Sequence, residues 1–118
     1  MKNLKILMTI VLTGLLAVTM SSCKKCKDED PRARIVNNGT DKADVQIKTS
    51  EGSTVNINNV ETGTASSYSS YDPGQVTFTV SVDNTEIEKK VDVTTCYDYD
   101  IVIDASNNIT VKLIDRND

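Results

Sequence analysis

From residue 32 onward, apolar and polar residues alternate in short runs rich in Val, Ile and Thr, and no stretch carries an apolar stripe at helical spacing. Alternation with a period of two puts one face of a strand in a core and the other in water, so the pattern predicts an all-β domain. Arg32 to Asn37 sets Ala33 and Ile35 on one side, Ala43 to Lys48 sets Ala43, Val45 and Ile47, and Thr54 to Val60 sets Val55 and Ile57. Residues 64–71 read as one weak, serine-rich strand. The strongest strand is 76–82, with Val76, Phe78, Val80 and Val82 on one side and Thr77, Thr79 and Ser81 on the other. Asp83-Asn84 reverses the chain into 87–93, where Lys89 and Lys90 fit an edge strand that must resist pairing with another chain. Tyr97, Tyr99, Ile101 and Ile103 share an inward face, and Asp98, Asp100, Val102 and Asp104 share the outward one. Ile109, Val111 and Leu113 complete the set.

Turn chemistry separates these runs. Asn38-Gly39 tolerates positive φ, Asp72-Pro73-Gly74-Gln75 has the composition of a type II turn, and Ser106-Asn107-Asn108 reverses the chain again. Seven or eight one-sided strands are most simply buried in a two-sheet β-sandwich, immunoglobulin-like or transthyretin-like, with a closed barrel as the alternative.

The first 23 residues obey another rule. Lys2 and Lys5 precede an apolar or weakly polar run from Ile6 to Met20, and Ser21-Ser22-Cys23 closes it. Fifteen helical residues reach only about 22 Å, too short for the roughly 30 Å hydrocarbon core of a bilayer, but enough for the apolar region of an export signal. Small residues followed by cysteine resemble a bacterial lipobox, with Met20 standing where Leu is commonest. That resemblance implies cleavage after residue 22 and lipidation of Cys23; an ordinary cleaved signal leaving a plain thiol is the alternative. Several acyl chains at about 0.8 kcal/mol per buried methylene would hold the product on a membrane.

Residues 23–31 are charged and read as a tether, leaving 32–118 as the folding domain. Lys27-Asp28-Glu29-Asp30 is similar to the export signal that follows the lipidated cysteine in Bacteroidota-type surface lipoproteins, which implies display on the outer face of the outer membrane. A merely soluble spacer would leave the domain facing the periplasm.

Composition narrows the partners. Loss of Lys2 and Lys5 with the signal leaves 11 basic against 17 acidic residues, a net charge of −6, which argues against nucleic acid. With no Trp and one Phe, the core must be built from Val and Ile. If Cys23 carries lipid, Cys26 and Cys96 remain. In an oxidising compartment they can pair, closing a loop of about 70 residues for about 4 kcal/mol; the alternatives are a buried free Cys96 and an exposed Cys26.

The strand motifs carry a second resemblance. Ala33-Arg34-Ile35-Val36-Asn37 and Ala43-Asp44-Val45-Gln46-Ile47, with Gly63, Tyr68, Pro73-Gly74 and the 76–82 strand downstream, resemble exported bacterial β-sandwich modules known only as a domain of unknown function. The resemblance implies fold and export, and brings no catalytic residues with it.

Candidate chemistry is sparse. Without histidine, the Ser-His-Asp and Cys-His systems and the commonest zinc sites are closed to this chain, and no motif implies a cofactor. Asp98 and Asp100, two apart on the outward face, are the carboxylates spaced for cation ligation or, with Asp104, for hydrolysis, although alternating acids on such a face ordinarily stay solvated. Tyr68 and Tyr71 offer rings to a glycan or a peptide, or else cap the core. The expectation is a non-enzymatic, lipid-anchored envelope module for binding, adhesion or structure. The alternatives are an accessory subunit of a carbohydrate- or protein-handling complex and, more remotely, a carboxylate hydrolase.

Overall fold

The computed structural model describes residues 26–117; the export signal and Cys23 lie outside the described residues. Nine strands follow one another: β1 (Arg32–Asn37), β2 (Ala43–Lys48), β3 (Thr54–Val60), β4 (Thr64–Ala65), β5 (Ser69–Ser70), β6 (Gly74–Val82), β7 (Thr85–Val93), β8 (Tyr97–Ile103) and β9 (Ile109–Asp115). One sheet runs β4-β1-β8-β9, with β5 also paired to β1, and the other runs β3-β2-β6-β7. No strand pairing joins the two sheets, so the fold is a sandwich and the barrel alternative falls.

The core follows period-two alternation in the central strands, whereas Val55 of β3 and Leu113 of β9, expected inward, stand 37% and 57% exposed because both strands are sheet edges. Ile35, Tyr99, Ile101 and Ile103 from the first sheet meet Val45, Ile47, Val76, Phe78 and Val80 from the second, all at most 2% exposed. Each such side chain contributes about 1.5–3 kcal/mol by leaving water. Asn37 is buried among them at 0% exposure. Its Nδ2 donates to the carbonyls of Val60 and Asp41, both at 2.8 Å, and its Oδ1 accepts the Gly39 N–H at 2.8 Å, so a first-sheet side chain binds second-sheet backbone.

Three local expectations are corrected. The 64–71 run splits into β4 and β5, because Ser66 Oγ takes the Ile35 N–H at 2.9 Å and breaks the ladder between them; this raises the strand number to nine. Asn38-Gly39 makes no positive-φ turn. Glycine is needed there because a Cβ at 39 would stand 2.5 Å from Asn107 Oδ1. Pro73 makes a bend, and Gly74 opens β6 directly at φ +129°, where a Cβ would stand 2.8 Å from Ser50 Cβ.

The Asp83-Asn84 reversal takes φ of +53° and +63°, the double positive φ of a type I′ hairpin, and it sets all nine β6–β7 pairs in register. β7 is an edge of its sheet, and Lys89 lies directly opposite the buried Phe78, on the core-facing row. An inward-facing charge at an edge is a standard obstacle to a further strand.

Candidate functional site

β1 and β8 pair in parallel, with Arg32 beside Asp98 and Arg34 beside Asp100. Side chains at matched positions of neighbouring strands leave the sheet on the same face, so each arginine meets one aspartate. Arg32 grips Asp98 through Nε at 2.8 Å and Nη2 at 2.6 Å, and Arg34 grips Asp100 through the same two atoms at 2.9 and 3.1 Å. Tyr68 lies across both: the guanidinium carbons stand 5.2 and 4.8 Å from its ring centroid, and its hydroxyl donates to Asp100 Oδ1 at 2.7 Å. Arg116 Nε adds an ionic contact to Asp98 Oδ1 at 3.0 Å.

The outward carboxylates are therefore not solvated, which corrects the expectation from alternation alone. Asp98 and Asp100 are only 6% and 5% exposed. The hydrogen bond from Arg34 holds the Asp100 carboxyl below the usual carboxylate range, against the opposing effect of burial and with help from Tyr68 and Lys112. Burial, and then the bond to Asp100, push the Tyr68 hydroxyl up. Each carboxylate is gripped at both oxygens by a guanidinium, which leaves it a poor cation ligand. Asp104 stands apart, with Oδ1 accepting the Ser106 and Asn108 N–H groups at 2.9 and 3.0 Å to close its own turn. The three aspartates proposed for hydrolysis thus share no cleft, and among the described residues no three His, Cys, Asp or Glu side chains converge as cation ligands.

The tyrosine pair is divided in the same way. Tyr68 is the clamp on the ion pairs, whereas Tyr71 is buried in the core at 7% exposure with a hydroxyl that finds no hydrogen-bond partner, and burial pushes that hydroxyl up. Tyr71 thus takes the core-capping alternative, while its edge lines a shallow cleft with Val55, Ser69 and Ser70.

Cys26 and Cys96 are joined as a disulfide across a separation of 70 residues. The segment read as a tether is fastened from Cys26 onward. Cys26 N–H donates to Asn117 Oδ1 at 3.0 Å, the Cys96 N–H to Glu29 O at 2.9 Å and the Tyr71 N–H to Pro31 O at 2.9 Å. Arg116 reaches Glu29 Oε1 at 2.9 Å and also donates to Asp30 O. Of Lys27-Asp28-Glu29-Asp30, the side chains remain exposed while the backbone of the latter half is part of the fold.

The outer face of the other sheet holds a feature that sequence reading missed. Asp44 and Gln46 of β2, Asn56 and Asn58 of β3, Thr79 and Ser81 of β6 and Glu86 of β7 line a shallow cleft of about 200 Å³. The register places Gln46 opposite both Asn56 and Thr79, and Ser81 opposite both Asp44 and Glu86. Among the described residues only Asp44 is engaged, accepting the Asn59 N–H at 2.8 Å where β3 bulges at φ +61°. Amides, hydroxyls and two carboxylates, with no cation among them, suit a neutral or cationic ligand rich in hydroxyl groups and disfavour an anionic one. No family model matches the chain, no curated protein matches it and no solved structure matches it.

Proposed function

We propose that this protein is a lipid-anchored lipoprotein of the bacterial cell envelope, displayed at the outer membrane surface, whose sandwich acts without catalysis as a binding, adhesion or structural module. The observation that carries the reading is the Ser21-Ser22-Cys23 junction behind a short apolar run. The disulfide supports it, because such bonds persist in exported and not in reducing compartments. The test is incorporation of labelled palmitate into wild type and Cys23→Ala: label in wild type alone is expected, and equal labelling of the two ends the proposal. Protease added to intact cells separates surface from periplasm. Digestion in wild type, and protection when Lys27 to Asp30 are replaced by alanine, is the outcome expected of a surface signal.

A second reading, an accessory subunit for carbohydrate or protein handling, is favoured by the Gln46 cleft. Its binding side chains would be Gln46, Asn56 and Thr79 in place of Tyr68 and Tyr71. Retention on isolated envelope polysaccharide, lost in Gln46→Leu, supports it; equal retention of both chains counts against it.

A further inference from the structure

Only Lys24 and Lys25 stand between Cys23 and Cys26, and Cys26 is bonded to Cys96. Cys96 is the residue before β8, at one end of the sandwich. The same end holds the turn closed by the Thr49 and Ser53 backbones, the Pro73 bend, and Arg116, whose N–H donates to the Cys96 carbonyl at 3.0 Å. The opposite end carries the loops after β1, β3, β6 and β8, around Thr40, Thr62, Asp83 and Asn107.

We propose that the Cys96 end of the sandwich rests on the lipid headgroups and that the Asn107 end is turned outward. The inference rests on the reading of Cys23 as the acylated residue, and adds to it an orientation. Three residue steps allow at most about 11 Å between the Cα atoms of Cys23 and Cys26. A nine-residue strand such as β6 is about 30 Å long, so the far loops stand well beyond the reach of that leash. If the chain were free as far as Arg32, nine steps would span about 32 Å, as long as the domain itself, and any of its surfaces would be able to meet the membrane. The bonds to Glu29 O and Pro31 O fasten the second half of the segment independently of the sulfurs.

Charge does not set the orientation. The near end sets Lys27 and Arg116 against Asp28, Glu29, Asp30 and Glu51, an excess of acid that offers no attraction to anionic headgroups. Covalent geometry does, and it makes the lipid bilayer the neighbour of the Glu51 turn while Lys42 and Asn107 become the first groups to meet a partner.

The chain contains no tryptophan, so one introduced indole reports alone. Full-length lipidated Glu51→Trp and Lys42→Trp, both exposed positions, would be reconstituted into phosphatidylcholine vesicles carrying a headgroup spin label. Several-fold stronger quenching of the indole at 51 than at 42 is expected, and equal or reversed quenching overturns the orientation. Flotation separates the two possible failures. Wild-type protein that does not float with the vesicles, or Cys23→Ala that still does, overturns the anchor; floating protein with equal quenching overturns the orientation alone. In the double variant Cys26→Ser, Cys96→Ser, checked for strand content by circular dichroism, the longer leash should narrow the difference between the two positions.

Discussion

The two outer faces of the sandwich are built on the same alternation and end in opposite states. On the β1–β8 face, Arg32, Arg34, Asp98, Asp100 and Tyr68 satisfy one another, and the carboxylates disappear from solvent. On the β2–β6 face, Gln46, Asn56, Thr79 and Ser81 stand open around a cleft with no partner among the described residues. A face that has closed its own hydrogen bonds gains rigidity and loses the groups with which to hold a ligand; an open face keeps them at little gain in stability. The clamped face also fixes the parallel β1–β8 pairing, since a shift by one residue would move both arginines into the core. The β1–β8 face thus stabilises the fold, and the β2–β6 face is the one that keeps unpaired polar groups.

The largest expected break of that contrast is Asp100→Ala. It leaves the Arg34 guanidinium and the Tyr68 hydroxyl without their shared acceptor, and because Arg34 is itself about a third exposed the loss falls below that of a fully buried pair, at about 2–3 kcal/mol. Chemical denaturation would show it as a lower midpoint. Should Asp100→Ala unfold like wild type, the β1–β8 clamp contributes nothing to stability and the two faces do not differ in that respect.

Acid offers a gentler probe of the same pair. The folded pKa of Asp100 lies below its ordinary value, so its contribution is fully present above the unfolded value near pH 4 and is lost as pH falls through the folded one. Thermal midpoints of wild type should therefore fall on acidification below about pH 4, and those of Asp100→Asn, already lower at neutral pH, should fall less steeply.

That pair also marks the limit of what the sequence disclosed. The two-sheet architecture, the inward rows of β2, β6 and β8 and the charged edge at β7 were all legible, because period-two alternation and turn residues are local signals. The ion pairs were not, since Arg32 and Asp98 are 66 residues apart and meet only through a parallel pairing that no local pattern announces. A signal existed in retrospect: Arg-Ala-Arg at 32–34 and Asp-Tyr-Asp at 98–100 share one period and opposite charge. Of the fastening of residues 26–31 only the Cys26–Cys96 bond was legible, from the cysteine count; the contacts to Arg116 and Asn117 were hidden because those partners lie at the far end of the chain. The Gln46 cleft escaped because it is assembled from four strands, none of which looks unusual alone.

Tyr68→Phe should have an intermediate effect. It keeps the ring under both guanidinium groups and removes only the hydroxyl bond to Asp100, a loss of about 1 kcal/mol in the same denaturation experiment. A larger fall would mean that the hydroxyl, and not the stacked ring, holds the clamp together.

The smallest effect on stability belongs to the open face, and there the smallness is itself the prediction. Thr79→Val preserves shape and the β-branch on the outward row of β6 and removes one unpartnered hydroxyl, so the unfolding midpoint should move by no more than about 0.5 kcal/mol. A side chain that can be changed without cost to the fold is free to be kept for another purpose. If Thr79→Val were to destabilise the protein as much as Tyr68→Phe, the β2–β6 face would be serving the fold through contacts of its own, and the division between a stabilising face and an open face would have to be redrawn.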